Sequence, residues 1–495
     1  MKISEKISEI FDNDSRDDKK HKGNRNMPNR NREIAIITYF FVAVFMVLLI
    51  YIGYFTQAES RGIVNNSYNK RQDILAERVN RGCIFASDNS LLAYSHIDEN
   101  GNETRIYPYA NMFAHIVGYS SHGRLGLEYS DNFSLITSNL PFKQKFSNEL
   151  KGHKSDADSI ITTLNPAVQS AAYSAIGDRA GAVFVMDIKT GAILSVVSKP
   201  DFDPNQIDTV WDMVKNDSDN TLFLNRATQG LYPPGSTFKI VTALEYIKEH
   251  NGNIDDYTFD CTGKFEKDSS IINCIHGNSH GTVDFSESFA QSCNSSFANI
   301  TSDLNRASFA ATCDKLLFGE ELPIPLLYSK SSVALNSTSD TDELLQTGIG
   351  QGRTLISPAH MTLITSAIAN NGVLMEPYII SKTINANSSV INSYRPTSYG
   401  RIFSLEEASL LQKLMEKVVT DGTGTRAMGD NYTVAGKTGS AEYSSDKSKS
   451  HAWFTGYAPA DNPRIALTVI VEGGGSGGLV AAPIAKSIFD AYFNQ

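Results

Sequence analysis

The chain is poor in cysteine, with five among 495 residues: Cys83, Cys261, Cys274, Cys293 and Cys313. None forms a C-x-x-C pair, so their spacing carries neither a zinc nor a redox signature. His276 and His280 stand four apart in HGNSHG. Gly277 and Asn278 lie between them and argue against a helical pair of ligands, so a loop and no metal are expected there. Internal repeats are also missing. Charge is absent from one long stretch: Ile34 to Phe55, IAIITYFFVAVFMVLLIYIGYF, has no charged side chain. That run is long enough to cross a bilayer as a helix. It lacks the small-residue cleavage site of a removable signal, which predicts an uncleaved anchor.

Acid is absent from the segment before it. KKHKGNRNMPNRNR, Lys19 to Arg32, holds six Lys or Arg and no Asp or Glu. Such a flank places the tail in the cytoplasm and everything after the anchor outside. The first 33 residues sum to +2 and the whole chain to −10, leaving −12 for the outer part. An acidic exterior excludes nucleic acid as the natural partner. The tail is otherwise polar and is expected to be disordered.

After the anchor and a short amphipathic stretch, RGCIFASDNSLLAYS (Arg81 to Ser95) reads as strand, turn, strand, with Ser87-Asp88-Asn89-Ser90 as the turn. A new pattern begins near Ser155. Pro166 behind Asn165 predicts a helix start. GAVFVMDIKTGAILSVVSKP predicts a hairpin about a Lys-Thr-Gly turn. A helix-rich middle runs from Ser236 to about Asn371, and strands return in YTVAGKTGSAEY, HAWFTGYAP and RIALTVIVEG. Strands at both ends with helices between predict one sheet, closed by the C-terminal strands and covered by the helical middle.

One stretch carries chemistry. LYPPGSTFKIVTALEYI, Leu231 to Ile247, sets Ser236 three residues before Lys239, past a Pro-Pro-Gly turn and at the head of an apolar-periodic run. Positions three apart share a helical face, so Lys239 is within reach of the serine hydroxyl. A serine becomes a nucleophile when a base takes its proton, and a lysine serves once burial or another cation lowers its pKa. The start of a helix favours a developing oxyanion. Phe238, Val241, Leu244 and Ile247 predict one buried face. An ordinary helix start explains the tetrapeptide alone equally well. Two further S-x-x-K matches, Ser67 to Lys70 and Ser444 to Lys447, start no apolar helix.

Serine–lysine acyl transfer also calls for an S-x-N element and a K-T-G strand. Ser292-Cys293-Asn294 and Lys437-Thr438-Gly439 supply them in the required order. The other Ser-Asp-Asn triplets (87–89, 130–132, 218–220) and the other Lys-Thr-Gly (189–191) all precede Ser236.

With these elements the chain resembles the class B penicillin-binding proteins, membrane-anchored transpeptidases of bacterial cell-wall synthesis. DIKTGAILSVVSKPDFDPN, NRATQGLYPPGSTFKIVTALE, GIGQG with SPAHM, GTGTRAM, AGKTGSAEY and AWFTGYAP follow in family order. RGCIFASDNSLLA and YPYANMFAHIVGY resemble the family's N-terminal domain. Cys293 inside the S-x-N triplet and Ser440 after K-T-G, where threonine is frequent, depart from the pattern without removing a reacting group.

The resemblance implies a mixed α+β chain: tail 1–33, transmembrane helix 34–55, small extracytoplasmic N-terminal domain 56–155, and transpeptidase domain 156–495 with an antiparallel sheet covered by helices. It implies a Ser236 acyl-enzyme formed on the stem peptides of peptidoglycan and on β-lactams. Lys239 would be the base, Ser292 a proton relay held by Asn294, and Lys437 a source of positive potential. Thr438 would bind the substrate carboxylate, and the Lys437-Thr438-Gly439-Ser440 strand would bind substrate, with the N–H groups of Ser236 and Ser440 as oxyanion hole. No cofactor is implied. A membrane glycan polymerase of the SEDS (RodA/FtsW) type is the implied partner.

Rival readings stay open. The same fold serves D,D-carboxypeptidases and β-lactam sensors or hydrolases, although no deacylating base is evident. An inactive scaffold is opposed by the intact motifs. Gly473, Gly475 and Gly478 make a G-x-G-x-x-G between a strand and a helix, but about seventeen residues follow, too few for a dinucleotide fold. Cys261 and Cys274, on the oxidising side, bracket a polar stretch expected to be a loop. They are read either as a disulfide or as two buried thiols, with Cys293 and Cys313 expected free.

Overall fold

The computed structural model describes residues 30–58, 76–217, 219–443 and 449–494. The basic tail to residue 29, the stretch 59–75 and the matches at Ser67–Lys70 and Ser444–Lys447 lie outside these residues. The chain divides between residues 64 and 65 into two compact units. In the first, Arg30–Ala58 form helix α1. Its 22-residue core Ile34–Phe55 has a mean hydropathy of 2.7, and none of its most apolar window is buried within the protein. At 1.5 Å per residue that core spans about 33 Å, enough for the hydrocarbon of a bilayer.

Near its start, the second unit contributes strands to a six-stranded sheet. Ile84–Phe85 and Leu91–Ile97 pair antiparallel, joined by the expected turn. Asn89 takes a left-handed φ of 67°, and Asp88 Oδ1 accepts from the Ser90 N–H. Ser159–Thr162 lies parallel to Ile84–Phe85 and antiparallel to Ile380–Ile384, so residues from far along the chain complete this sheet. Beneath it sits a fully buried carboxylate, Glu128. Arg81 Nε donates to its Oε2 at 2.6 Å and Arg105 Nε to its Oε1 at 2.7 Å. Burial alone would raise the Glu128 pKa; the two guanidiniums outweigh it and hold the group below the usual carboxylate range.

The central sheet carries the site. Helix α2, Pro166–Ile176, starts where expected: Asn165 Oδ1 accepts from the N–H groups of Ala167 and Val168. Strands β1 (Gly181–Asp187) and β2 (Ile193–Lys199) form the expected hairpin, closed by Asp187 Oδ1 accepting from Lys189 and Thr190. Helix α3 is Lys239–Glu249, α4 Phe285–Ala290, α5 Asn294–Asp303, α6 Pro358–Ala369 and α7 Leu405–Thr420. Strands β3 (Ala435–Glu442), β4 (Ser450–Ala458) and β5 (Ile465–Val471) precede the last helix, α8, Ala482–Phe493.

The sheet order is β3-β4-β5-β1-β2, antiparallel throughout. Period-2 alternation sorts its side chains. Val183, Val185, Phe454, Leu467 and Val469 pack with Val168 and Ala172 of α2 and with Ile484, Ile488 and Phe489 of α8. Ala182, Phe184, Met186, Trp453, Tyr457 and Ile470 join the core of the helical middle. Burial on both faces explains why these strands read as continuous apolar runs rather than as alternating ones.

Two expectations are revised. Lys239–Ile247 of α3 is buried all the way round, not on one face, because helices enclose it. The helical middle contains strands. Within it the presumed loop after Cys261 is a hairpin, Lys264–Lys267 with Ser270–Asn273, whose charged residues conceal its alternation. The glycine-rich segment after β5 is no dinucleotide fingerprint. β5 is an interior strand of an antiparallel sheet, and a Cβ on Gly477 would stand 2.2 Å from the Trp453 carbonyl oxygen.

Removing the carboxylate at position 128 leaves two buried guanidiniums unpaired. Glu128→Ala is expected to lower stability by about 3–5 kcal/mol, read as a lower urea midpoint at unchanged slope.

Candidate active site

The Pro233-Pro234-Gly235 turn delivers Ser236 on a single 3₁₀ turn, Gly235–Phe238, and the α-helix begins only at Lys239. The sequence predicted Ser236 as the start of the helix itself. The tighter turn eclipses positions three apart and still sets serine and lysine on one side. The turn is braced from behind: the Gly235 N–H donates to the Gly350 carbonyl at 2.9 Å. Gly350 has φ +73°, and a Cβ there would lie 2.1 Å from the Gly235 oxygen. The GIGQG motif is thus a requirement of backbone contact.

Strand β3 runs alongside. A Cβ on Gly439 would stand 3.0 Å from both the Pro234 oxygen and Thr237 Cγ2, so glycine lets the strand approach the serine turn. Lys437, two residues away on the same face, points into the protein and is fully buried, as is Lys239.

Both lysines converge on the S-x-N triplet. Lys239 Nζ donates to the Ser292 carbonyl at 2.7 Å, Ser292 Oγ at 3.3 Å and Asn294 Oδ1 at 2.8 Å. Lys437 Nζ donates to the same Ser292 Oγ at 2.9 Å and to the Thr438 carbonyl at 3.1 Å. Ser292 holds φ +58°, a left-handed conformation that side chains other than glycine seldom adopt, and such strain concentrates at functional sites. Burial brings the Lys239 pKa down to about 7. Burial first, and then the charge of Lys239, push Lys437 down as well. Two ammonium groups sharing one hydroxyl titrate as a pair, and losing a proton relieves both desolvation and repulsion.

A cleft of about 440 Å³ opens over these groups, lined by Ser236, Ser292, Thr438, Gly439 and Ser440. Every candidate residue of the three motifs therefore borders the cleft or lies directly behind it. Residues without an assigned role share the walls: Thr423 and Arg426, within GTGTRAM, and Ser476, Gly478 and Leu479 of the glycine-rich segment. Thr423 Oγ1 lies 2.5 Å from Thr438 Oγ1, and the Gly477 N–H donates to Ser440 Oγ at 3.3 Å. The glycines after β5 signalled a close backbone approach, and the approach is to β3. A second cavity, about 460 Å³, lies among Arg81, Arg105, Arg124, Asn205 and Asp208 and brings no serine–lysine pair together. Lys189 of the decoy triplet lies far from this chemistry in type: it is exposed and donates to Asn370 Oδ1 at 3.3 Å.

Cys261 and Cys274 do meet, but as free thiols with their Sγ atoms 3.7 Å apart. Cys293 and Cys313 are free, as expected; Cys293 lies 3.7 Å from Cys274, and His280 Nδ1 lies 3.4 Å from Cys261. These four are the one group of metal-capable side chains found among the described residues. His276 is not among them.

The penicillin-binding protein transpeptidase domain family matches residues 181–490, and the penicillin-binding protein A dimerisation domain matches residues 81–160. This chain belongs to the penicillin-binding protein transpeptidases. It is 30% identical to the peptidoglycan D,D-transpeptidase PbpA of Mycolicibacterium smegmatis, over 92% of this chain and 97% of that one. It is 28% identical to the stage V sporulation protein D of Bacillus subtilis, over 78% and 63%. Among solved structures, penicillin-binding protein A from M. tuberculosis, as an imipenem acyl-enzyme complex, aligns with TM-score 0.77 at 26% identity over 84% of this chain and 99% of that one. The D,D-transpeptidase domain of a peptidoglycan glycosyltransferase from Eggerthella lenta aligns with TM-score 0.75 at 29% identity, over 84% and 99%. The fold is that of the class B penicillin-binding proteins.

Lys437→Ala is expected to slow acylation by penicillin by about 100-fold or more. Lys189→Ala should stay within about twofold of the parent, as exposed substitutions do. Stopped-flow acylation rates separate the two. Because the buried pair must shed a proton before Lys239 can act as base, the acylation rate should rise with pH through about 7. A rate falling over that interval would refute the assignment of the base.

Proposed function

We propose that this chain is a membrane-anchored peptidoglycan D,D-transpeptidase working through a Ser236 acyl-enzyme. The observation that carries the reading is the convergence of Lys239 and Lys437 on Ser292 Oγ beside a cleft that contains Ser236. Ser236 Oγ attacks the carbonyl between two D-alanines of a stem peptide, and Lys239 Nζ, neutral through burial, takes its proton. The Oγ–C bond forms, and the oxyanion rests on the backbone N–H groups of Ser236 and Ser440. The C–N bond then breaks, and the departing amine receives a proton through Ser292, whose position Asn294 and the two lysines hold. Thr438 binds the terminal carboxylate, and Lys437 adds attractive potential. An amine on a neighbouring strand attacks the acyl-enzyme next. Its proton returns through the same relay, Ser236 is released and the cross-link is made. A β-lactam follows the first half and stops at the acyl-enzyme.

The charge-free core of helix α1, Ile34–Phe55, and its basic flank support a single-pass anchor in the cell membrane, N-terminus inside and catalytic domain outside. The domain division proposed is 1–33, 34–55, 56–155 and 156–495. The chain matches a transpeptidase family along most of its length, which supports a division of labour with a glycan polymerase of the SEDS type in the same membrane.

Fluorescent penicillin should label the protein covalently, with Ser236 recovered as the modified residue by peptide mapping. Ser236→Ala should abolish labelling while leaving the melting temperature near that of the parent. A folded Ser236→Ala protein that still labels would overturn the reading.

A further inference from the structure

The side chains behind Cys293 have a geometry that neither free thiols nor a disulfide requires. Sulfur–sulfur distances are 3.7 Å for Cys261–Cys274 and 3.7 Å for Cys274–Cys293, and Cys261 Sγ lies 3.4 Å from His280 Nδ1. All four donor atoms fall within 4.8 Å of one another. A tetrahedron with zinc–sulfur bonds of about 2.3 Å and a zinc–nitrogen bond of about 2.0 Å has edges of about 3.8 Å between sulfurs and about 3.5 Å from sulfur to nitrogen. Three of the six spacings sit close to those edges and the rest stay within 4.8 Å, whereas a disulfide draws two sulfurs to about 2.05 Å. We propose that Cys261, Cys274, His280 and Cys293 bind one zinc ion, and that this ion fixes the Ser292-Cys293-Asn294 triplet of the acylation site.

The donor set selects the metal. Three thiolates and one imidazole, with no carboxylate, suit tetrahedral zinc, and four protein donors leave no open position for chemistry. The surroundings suit thiolates: the Ser295 N–H points at Cys274 Sγ at 3.5 Å, the Ser296 N–H at Cys293 Sγ at 3.4 Å, and Ser295 Oγ lies 3.0 Å from Cys274 Sγ. Such outer donors orient and stabilise metal-bound sulfur. Three buried thiolates this close repel one another unless a cation joins them.

The topology gives the ion a structural task. Cys261 ends the strand Thr258–Cys261, which pairs with Gly281–Asp284 just after His280. Cys274 follows the Lys264–Lys267/Ser270–Asn273 hairpin. That hairpin has little core of its own, and Ile271 and Ile275 are exposed. Metal bonds replace a core in small elements of this kind. The fourth ligand, Cys293, is the N-cap of α5 and is flanked by the two residues that contact Lys239. The ion would hold Ser292 in its left-handed conformation from behind. Binding of the ion does not depend on the proposed function; only its consequence for acylation does.

The proposal and the disulfide reading of Cys261–Cys274 exclude each other, so one preparation decides between them. The detergent-solubilised full chain, purified without chelator, should contain one zinc per protein by elemental analysis. Cys274→Ser and His280→Ala should lose it, and Cys313→Ser should keep it. Growth with cobalt in place of zinc should give the intense visible bands and sulfur-to-metal charge transfer of a tetrahedral thiolate site, which tests the wild-type chain even if a variant fails to fold. His280→Ala should acylate at least about tenfold more slowly, within the 10–100-fold range of metal-site substitutions. Protein that stays metal-free after zinc supplementation, weak octahedral cobalt bands, or a Cys261–Cys274 bridge in metal-replete protein would each overturn the proposal. Loss of zinc without loss of acylation would retain the site and remove its role in positioning Ser292.

Discussion

Two lysine side chains buried against one serine hydroxyl are the constraint on which the site depends. An ammonium group shielded from water is expensive unless hydrogen bonds replace its solvation or it gives up a proton. Here both occur. Lys239 is bound by the Ser292 carbonyl and by Asn294, and Lys437 by Ser292 Oγ and the Thr438 carbonyl. The same burial that costs stability depresses the Lys239 pKa to about 7, where a lysine can accept a proton from serine. Stability and reactivity are set by a single act of desolvation.

Maintaining that arrangement explains much of the fold. Helix α3 is enclosed on all sides because its first residue must be dry. Strand β3 must lie against the Ser236 turn, and glycine at position 439 eases that close approach. The antiparallel sheet, packed on both faces, gives β3 a rigid edge. The GIGQG segment braces the turn from the opposite side through the Gly235 N–H and Gly350 oxygen. Ser292 is held at φ +58° between these parts. Its strain is offset by the two lysine contacts and by the attachment of its neighbour Cys293 to the cysteine–histidine cluster.

The N-terminal domain solves a different electrostatic problem with similar means. Glu128 is as thoroughly buried as the lysines, but Arg81 and Arg105 reach it from both sides and keep it ionised. A carboxylate held between two guanidiniums gives structure without a titration near neutrality. The unmatched lysine pair gives a group that titrates where it can work.

Local signals were legible in the sequence because their causes are local. Charge absence marked the core of α1, Asn165-Pro166 marked the start of α2, and Lys189-Thr190-Gly191 marked the β1–β2 turn. Order along the chain separated Lys437 from Lys189 and Ser292 from the earlier Ser-Asp-Asn triplets. The joining of β3 to β5 with β1 and β2 into one sheet was also foreseeable, from strands at both ends of the region with helices between. What the sequence could not determine depended on which distant residues meet. Its periodicity showed one apolar face of α3, but only enclosure by other helices decided that the whole turn from Lys239 is dry. The hairpin after Cys261 was hidden by its own lysines and glutamate. The cysteines gave no spacing signature, because Cys261, Cys274, His280 and Cys293 arrive from four separate turns and strand ends. Tertiary packing alone brings their donor atoms within 4.8 Å of one another.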